Sequence, residues 1–266
     1  RRGWLSGNAR RCFAGKPNRP FVRHDNLKFG RQEVRHAGLW INGHAVEAAA
    51  GTKEEVRNPA TGQLYATVAS AGAADVEAAV QGAHEAFESG CWSEMPPRAR
   101  GRILFRASQM LLGALPELAD MESRQTGRCL REYRAQLGRV PEWFEYHASY
   151  AAAKGFEGKM PPLVDASDHV NLVWRVPLGV CGAITPWNHP LLIAAKKISV
   201  ALAAGNSIVV KPPLEAPLTV IRLAEILEAA GLPAGTLQVV PGAGPTAGDA
   251  LARHPLVERL DFTGGT

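Results

Sequence analysis

The stretch that decides the fold is "VCGAITPWNHPLLIAAKKISVALAAGNSIVVKPPLE", residues 180–215. It opens on a compact apolar strand, VCGAIT, at Val180. A helix follows over residues 190–204, and Gly205-Asn206 ends it. "SIVVK" reads as the next strand. The rhythm then repeats: "APLTVIRLAEILEAAG" is a helix stopped by Gly231, "LQVVPG" a strand, "TAGDALARH" a short helix and "RLDFTG" a fourth strand. The strand starts at Val180, Ile208, Leu237 and Leu260 are 28, 29 and 23 residues apart. Parallel strands need a crossover of that length. The pattern therefore predicts an α/β fold, a Rossmann-like parallel sheet with flanking helices. Such sheets bind ligands at the carboxyl ends of their strands.

Upstream the signals are shorter-ranged. "LWINGHAV" places Asn42-Gly43 between apolar residues, which predicts a tight hairpin. "EVRNPATGQLYATVAS" predicts two more strands around a turn at Asn58 to Gly62. From Asp75 the apolar residues Val76, Ala79, Val80, Ala83 and Phe87 recur at helical spacing. Helical stretches "RARGRILFRASQMLLGAL" and "LADMESRQTG" follow, with Gly127 as a stop. "REYRAQLGRVPEWFEYHASYAAAKG" is a long helical stretch expected to bend at Pro141. "HVNLVWRVPLG" alternates Val170, Leu172 and Trp174 as a strand does.

Composition excludes several classes. The chain of 266 residues carries a formal charge of +5. Residues 1–24 hold seven Lys/Arg (Arg1, Arg2, Arg10, Arg11, Lys16, Arg19, Arg23) and no acid, which leaves 23 bases against 25 acids elsewhere. The basicity is thus local, which argues against a basic nucleic-acid face on the folded body. Residues 1–36 read as a basic tail, either a targeting segment or a disordered extension. No apolar run approaches the ~20 residues of a membrane span. The four cysteines, Cys12, Cys91, Cys129 and Cys181, form no CxxC pair, and there is no HExxH, so no metal site is expected. Sparse cysteine fits a reducing compartment, the cytoplasm or the mitochondrial matrix.

Four segments directly follow the predicted strands: "TPWNHP", "KPPLE", "PGAGPTAG" and "TGGT". Singly each is weak. Lys211 could be a solvated lysine, Asn188 a turn residue, Trp187 core, and the glycines tight turns. Together they present an amide, an ammonium and two glycine turns along one sheet edge. A dinucleotide needs those groups: donors for ribose hydroxyls and bare backbone for phosphates.

With these motifs in order, residues 177–219 and 231–266 resemble the cofactor-binding region of the aldehyde dehydrogenase superfamily. "LWINGHAV", "VRNPATGQ" and "ADMESRQTGRCLREYRAQLGR" resemble it too, so the similarity runs over about residues 39 to 266. The resemblance implies an NAD(P)-dependent oxidation of a small aldehyde to a carboxylic acid. Asn188 matches the amide that donates to the oxyanion, and Lys197 a helix lysine assigned to proton relay; a solvated lysine is the other reading of Lys197. Thr185, Pro186 and Trp187 match the segment lining the cofactor, and Lys211 the lysine on the adenosine ribose. Gly244 and Pro245 match a turn near the adenine, and Gly264 and Gly265 the turn under the pyrophosphate. Residues 37–266 then form a partial NAD(P)-binding domain of an incomplete aldehyde dehydrogenase fold. Residues 155–178 are expected to contribute strands to a homo-oligomer.

The sequence departs from the family's pattern in three places. Leu214 stands where a glutamate usually binds the ribose 2′-hydroxyl, with Glu215 one residue further, so NAD and NADP both stay open. Gly265 stands where a serine is common. The family's nucleophilic cysteine and its glutamate base lie beyond the FTG turn, and none of the four cysteines here is placed to substitute. The expectation is that residues 1–266 alone are inactive. They would be either part of a longer enzyme or a truncated paralogue serving as a structural or accessory subunit. Apolar surface at Leu260 and Phe262 is further expected to need cover from a longer chain or an assembly, or else to promote aggregation.

Overall fold

A computed structural model of the chain describes residues 35–153, 158 and 171–265. The predicted tail runs slightly too far, because β1 (Arg35–Ala37) already begins at Arg35. β2 (Leu39–Ile41) and β3 (His44–Val46) form the hairpin. Asn42 and Gly43 at its tip both have positive φ, 51° and 79°, as a type I′ turn requires. β4 (Lys53–Arg57) and β5 (Leu64–Ala69) pair antiparallel. β1 lies parallel to the far side of β5, giving a three-stranded sheet in the order β1-β5-β4.

Helices α1 (Ala73–Glu88), α2 (Pro97–Thr126), α3 (Leu130–Gln136) and α4 (Arg139–Ala152) follow. α1 buries Val76, Ala79, Val80 and Ala83, the face its periodicity marks. The two predicted stretches before Gly127 are one helix of 30 residues, with Pro116 inside it. Gly127 ends it in the left-handed conformation, φ 75°. The predicted bend at Pro141 is corrected. The chain breaks at Leu137 and Gly138, and Pro141 sits in the first turn of α4, where its missing N–H leaves no helical bond unmade.

The second half is the predicted alternation: β6 (Val180–Ile184), α5 (Pro190–Ala203), β7 (Ser207–Lys211), α6 (Leu218–Ala229), β8 (Leu237–Val239), a single π-helical turn (Gly244–Gly248), α7 (Asp249–Arg253) and β9 (Val257–Phe262). The six-stranded sheet has the order β3-β2-β8-β7-β6-β9. Its last four strands are parallel. The hairpin joins β8 antiparallel through Trp40 and Val239. The side-chain amide of Gln238 fastens the join, accepting from the Asn42 N–H at 2.7 Å and donating to the Asn42 Oδ1 at 2.9 Å.

One core lies on the side of the sheet covered by α2, α4, α5 and α6, and includes Leu104, Leu111, Leu118, Phe144, Ile198, Leu202 and Leu227. A smaller one lies under α1 and α7 and includes Val76, Val80, Val209 and Leu251. Where α2 and α4 cross, a Cβ on Gly101 would stand 2.7 Å from the Ala148 carbonyl oxygen. Only glycine permits that approach. β9 is an edge strand, with Leu260 and Phe262 exposed.

The strand predicted over residues 169–179 is not present among its described members. Residues 171–178 have no regular secondary structure apart from a single bridging residue at Val173. Leu172, Val173, Trp174, Val176 and Leu178 are all more than half exposed. Most of the proposed oligomerisation segment, 155–157 and 159–170, lies outside the described residues.

Candidate functional site

The four parallel strands end side by side, and each end releases one of the motif segments. β6 exits through residues 185–189 into α5, and β7 through residues 212–217 into α6. β8 leads to the turn at Gly244, and β9 to Thr263–Gly265. In the order β8-β7-β6-β9 these exits span three strand spacings, about 14 Å.

A cleft of about 510 Å³ opens between the exits of β6 and β9. It is lined by Thr185, Pro186, Trp187, Asn188 and Ile193 on one side and by Phe262, Thr263, Gly264 and Gly265 on the other. Thr185 is buried, and its Oγ1 has no hydrogen-bond partner among the described residues. A buried hydroxyl without a partner costs free energy unless a ligand or water satisfies it. Trp187 is 62% exposed, so it is not a core residue. Asn188 is exposed. Its backbone carbonyl accepts from the Tyr133 hydroxyl at 3.3 Å, which fixes the loop and leaves the side-chain amide at the mouth. Gly264 has the Phe262 ring against it, 2.9 Å from where a Cβ would stand. Gly265 has nothing within 4 Å of that point.

Lys211, Leu214, Gly244 and Pro245 lie at the ends of β7 and β8 and do not line this cleft. Lys211 is buried rather than solvated. Its ammonium donates to the Gly242 carbonyl at 2.8 Å and to the Pro212 carbonyl at 3.2 Å, which uses two of its three N–H donors. Burial pulls its pKa below the ordinary lysine value, and the charge of Glu215 works against that shift. Leu214 is half-buried against the core, whereas Glu215 is exposed. Gly244 has open space where a Cβ would point.

Of the two readings of Lys197, the solvated lysine is excluded. It is buried, not solvated, and forms an ion pair with Asp261 of β9. That pair ties α5 to the edge strand beside the cleft. His189 forms the start of α5 with its ring against the Arg128 guanidinium. Burial first, and the Arg128 charge second, lower its pKa, opposed by Glu132. Arg128 is itself paired with Glu132 at 2.5 Å.

Two features of the site escaped sequence reasoning. One is the pairing of Lys197 with Asp261. The other is a buried polar group beneath the loops, Glu122, Gln125 and Thr219. Glu122 is fully buried. One carboxylate oxygen accepts from the Leu191 N–H at 3.0 Å, and the other from Gln125 Nε2 at 2.7 Å and Thr219 Oγ1 at 2.6 Å. The Gln125 Oε1 accepts from the Leu218 N–H at 3.0 Å. Burial raises the Glu122 pKa to about 7, against the hydrogen bonds that lower it. The one available sequence signal was a glutamate on the inward face of a helix, and that does not name its partners. Of the described cysteines, none lines the cleft. Cys181 is buried in β6, and burial raises its thiol pKa. No group of three or more potential metal ligands occurs among the described residues, and no helix there is long and apolar enough to cross a membrane.

A parallel α/β sheet whose strand exits carry an exposed amide, a buried ammonium and glycine turns has a Rossmann-like architecture, of the kind that takes ligands at the carboxyl ends of its strands. Comparison with known proteins sharpens this. Residues 45–266 match the model of the aldehyde dehydrogenase family, and the chain belongs to that family. It is 43% identical over 232 residues to phenylacetaldehyde dehydrogenase of Pseudomonas fluorescens, covering 86% of this chain and 46% of that protein. It is 40% identical over 230 residues to betaine aldehyde dehydrogenase of Bacillus subtilis, covering 85% of this chain and 46% of that protein. Among solved structures, the NAD+ complex of an aldehyde dehydrogenase from Bacillus cereus superposes with a TM-score of 0.83 at 34% identity, covering 87% of this chain and 46% of that one. The chain thus spans about half the length of these relatives.

Proposed function

We propose that residues 37–266 supply the nicotinamide-binding side and the oxyanion donor of an enzyme that oxidises an aldehyde to a carboxylic acid with NAD or NADP. The observation that carries this reading is the cleft between β6 and β9, with the unpartnered Thr185 hydroxyl on its wall and the Asn188 amide at its mouth. The bound dinucleotide would accept the hydride. Gly264 and Gly265 would let backbone approach its phosphates, and Thr185, Pro186 and Trp187 would line it. The remaining N–H of Lys211 would reach a ribose hydroxyl, with Leu214 and Glu215 beside it and Gly244 and Pro245 near the adenine. The Asn188 amide would donate to the aldehyde oxygen as it gains charge. One such donor is worth roughly 10²–10³ in turnover. Lys197, held by Asp261, would serve as the relay lysine.

The nucleophile in this reading is not supplied by residues 1–266. Cofactor reduction with a panel of aldehydes tests this directly. The expected result is dinucleotide binding without turnover. Turnover that survives combined replacement of Cys91, Cys129 and Cys181 by alanine would overturn the proposed covalent mechanism, and absence of dinucleotide binding would overturn the cofactor assignment.

We further propose that residues 155–178 pair with a second copy of the chain. The five exposed apolar side chains between Leu172 and Leu178 support this, since large exposed apolar surface marks interfaces. Sedimentation velocity should show an oligomer that Trp174→Glu dissociates, and an unchanged profile would count against it. A compartment in the cytosol or the mitochondrial matrix fits this chemistry. Relatives named as cytosolic and as mitochondrial 10-formyltetrahydrofolate dehydrogenases occur among the matches.

A further inference from the structure

The two crossover helices that begin at the cofactor edge lack caps of their own. α5 starts after His189 and α6 after Pro217, and neither flanking side chain bonds to the helix. The first N–H groups of a helix need partners, and their positive end favours a carboxylate. Here both partners come from one helix elsewhere in the chain. Glu122 accepts from Leu191 in the first turn of α5, and Gln125 accepts from Leu218 in the first turn of α6. The two residues are three apart on α2, so they share a face. They are bonded to each other, and Thr219 on α6 donates to Glu122 and accepts from Gln125. All three side chains are buried. Gln125 also lines a small cavity with Trp187 from the β6 exit and Glu215 and Ala216 from the β7 exit.

From this arrangement we infer that Glu122 and Gln125 are positioning residues: α2 caps α5 and α6 in trans and so sets the spacing of the two strand-exit loops that carry Asn188 and Lys211. A helix whose first turn is pinned fixes the residue just before it. Asn188 lies three residues before Leu191, and Lys211 lies seven before Leu218. The Glu122 side chain suits this task because its two oxygens meet three donors at once. A leucine at the position fills the space and accepts nothing. A glutamine keeps one acceptor oxygen for Leu191.

The inference rests on the cofactor reading for its consequence, but not for its geometry. The experiment has two readouts on the full chain: amide hydrogen exchange at residues 185–191 and at Leu218, and NAD affinity by fluorescence titration. Glu122→Leu should speed exchange at Leu191 and across residues 185–189 by at least about tenfold while distant β5 amides are unchanged, and it should weaken NAD about tenfold. Gln125→Leu should do the same at Leu218. Glu122→Gln should restore protection at Leu191 and most of the NAD affinity, which a general loss of packing would not do. Should Glu122→Leu fail to fold, Gln125→Leu and Glu122→Gln carry the same comparison. Faster exchange at Leu191 with an undisturbed 185–189 loop and unchanged NAD affinity would overturn positioning and leave only a structural cap. Unchanged exchange at Leu191 would overturn the cap itself. If the unmodified chain binds no NAD, the cofactor reading fails, and loop exchange alone decides the inference.

Discussion

Replacing Glu122 by glutamine should remove a pH-dependent part of the stability. The carboxyl is fully buried, and its pKa rises from 4.5 to about 7. In the native chain it therefore holds its proton over a range in which the unfolded chain has released it. Stability falls as pH rises wherever the native state binds more protons. The Glu122 contribution is complete below about pH 4.5 and is lost as pH rises through about 7. A shift of about 2.5 units at about 1.4 kcal/mol each gives roughly 3 kcal/mol across that window. Glu122→Gln cannot titrate. Its altered hydrogen bonding, in which an amide N–H now faces the Gln125 amide, adds an offset that pH does not change. Other carboxylates act in the opposite direction, such as Glu47 and Glu132, whose pKa values are lowered by Lys53 and Arg128, but they are common to both proteins and cancel. Urea denaturation of both proteins from pH 4.5 to 8 should show the wild type losing about 3 kcal/mol relative to the variant. A difference flat to within about 0.5 kcal/mol would refute the burial argument.

Gly101→Ala should destabilise the chain by about 1–3 kcal/mol, because the new methyl meets the Ala148 carbonyl and α2 and α4 must part; thermal unfolding reads it, and an unchanged melting temperature would show that the crossing yields freely. Lys211→Met should cost about 1–3 kcal/mol by stranding the Gly242 and Pro212 carbonyls, and should weaken NAD about tenfold, the worth of about 1.4 kcal/mol. Leu214→Glu should shift the measured NADP/NAD affinity ratio toward NAD, since a carboxylate there accepts from a ribose hydroxyl and repels a 2′-phosphate; a constant ratio would mean that position 214 faces away from the ribose. Asp261→Asn should cost about 2 kcal/mol by removing the charged partner of buried Lys197, and chemical denaturation showing no loss would mean that solvent replaces Asp261 at this half-exposed edge.

Much of the fold was legible because it is encoded locally. A strand or helix announces itself by which residues are apolar at what spacing, and that spacing is a property of neighbours in sequence. The alternation from Val180 to Phe262 followed from this, as did the parallel sheet, the type I′ turn at Asn42-Gly43 and the helix end at Gly127. The strand exits followed too, because a parallel sheet puts all its carboxyl ends on one edge. Thr185, Asn188, Lys211 and Gly264 are thus placed at one edge by sequence alone.

What only the tertiary structure decided involves partners far apart in the chain. Nothing local places β1 beside β5 or sets Trp40 against Val239. Pro116 sits within α2, where packing outweighs a single lost hydrogen bond, and Pro141 sits in the first turn of α4, where none is lost, so the chain breaks instead at Leu137 and Gly138. The burial of Lys197 against Asp261, and of Lys211 against two carbonyls, removed the solvated-lysine alternative at both positions. A charge's environment is set by what folds over it, and long polar side chains carry no periodic signature. The same holds for Glu122, Gln125 and Thr219. By sequence they are ordinary helix residues, with Thr219 lying 94 and 97 positions from Gln125 and Glu122, and only the packing of α2 under two helix starts makes them one hydrogen-bonded group.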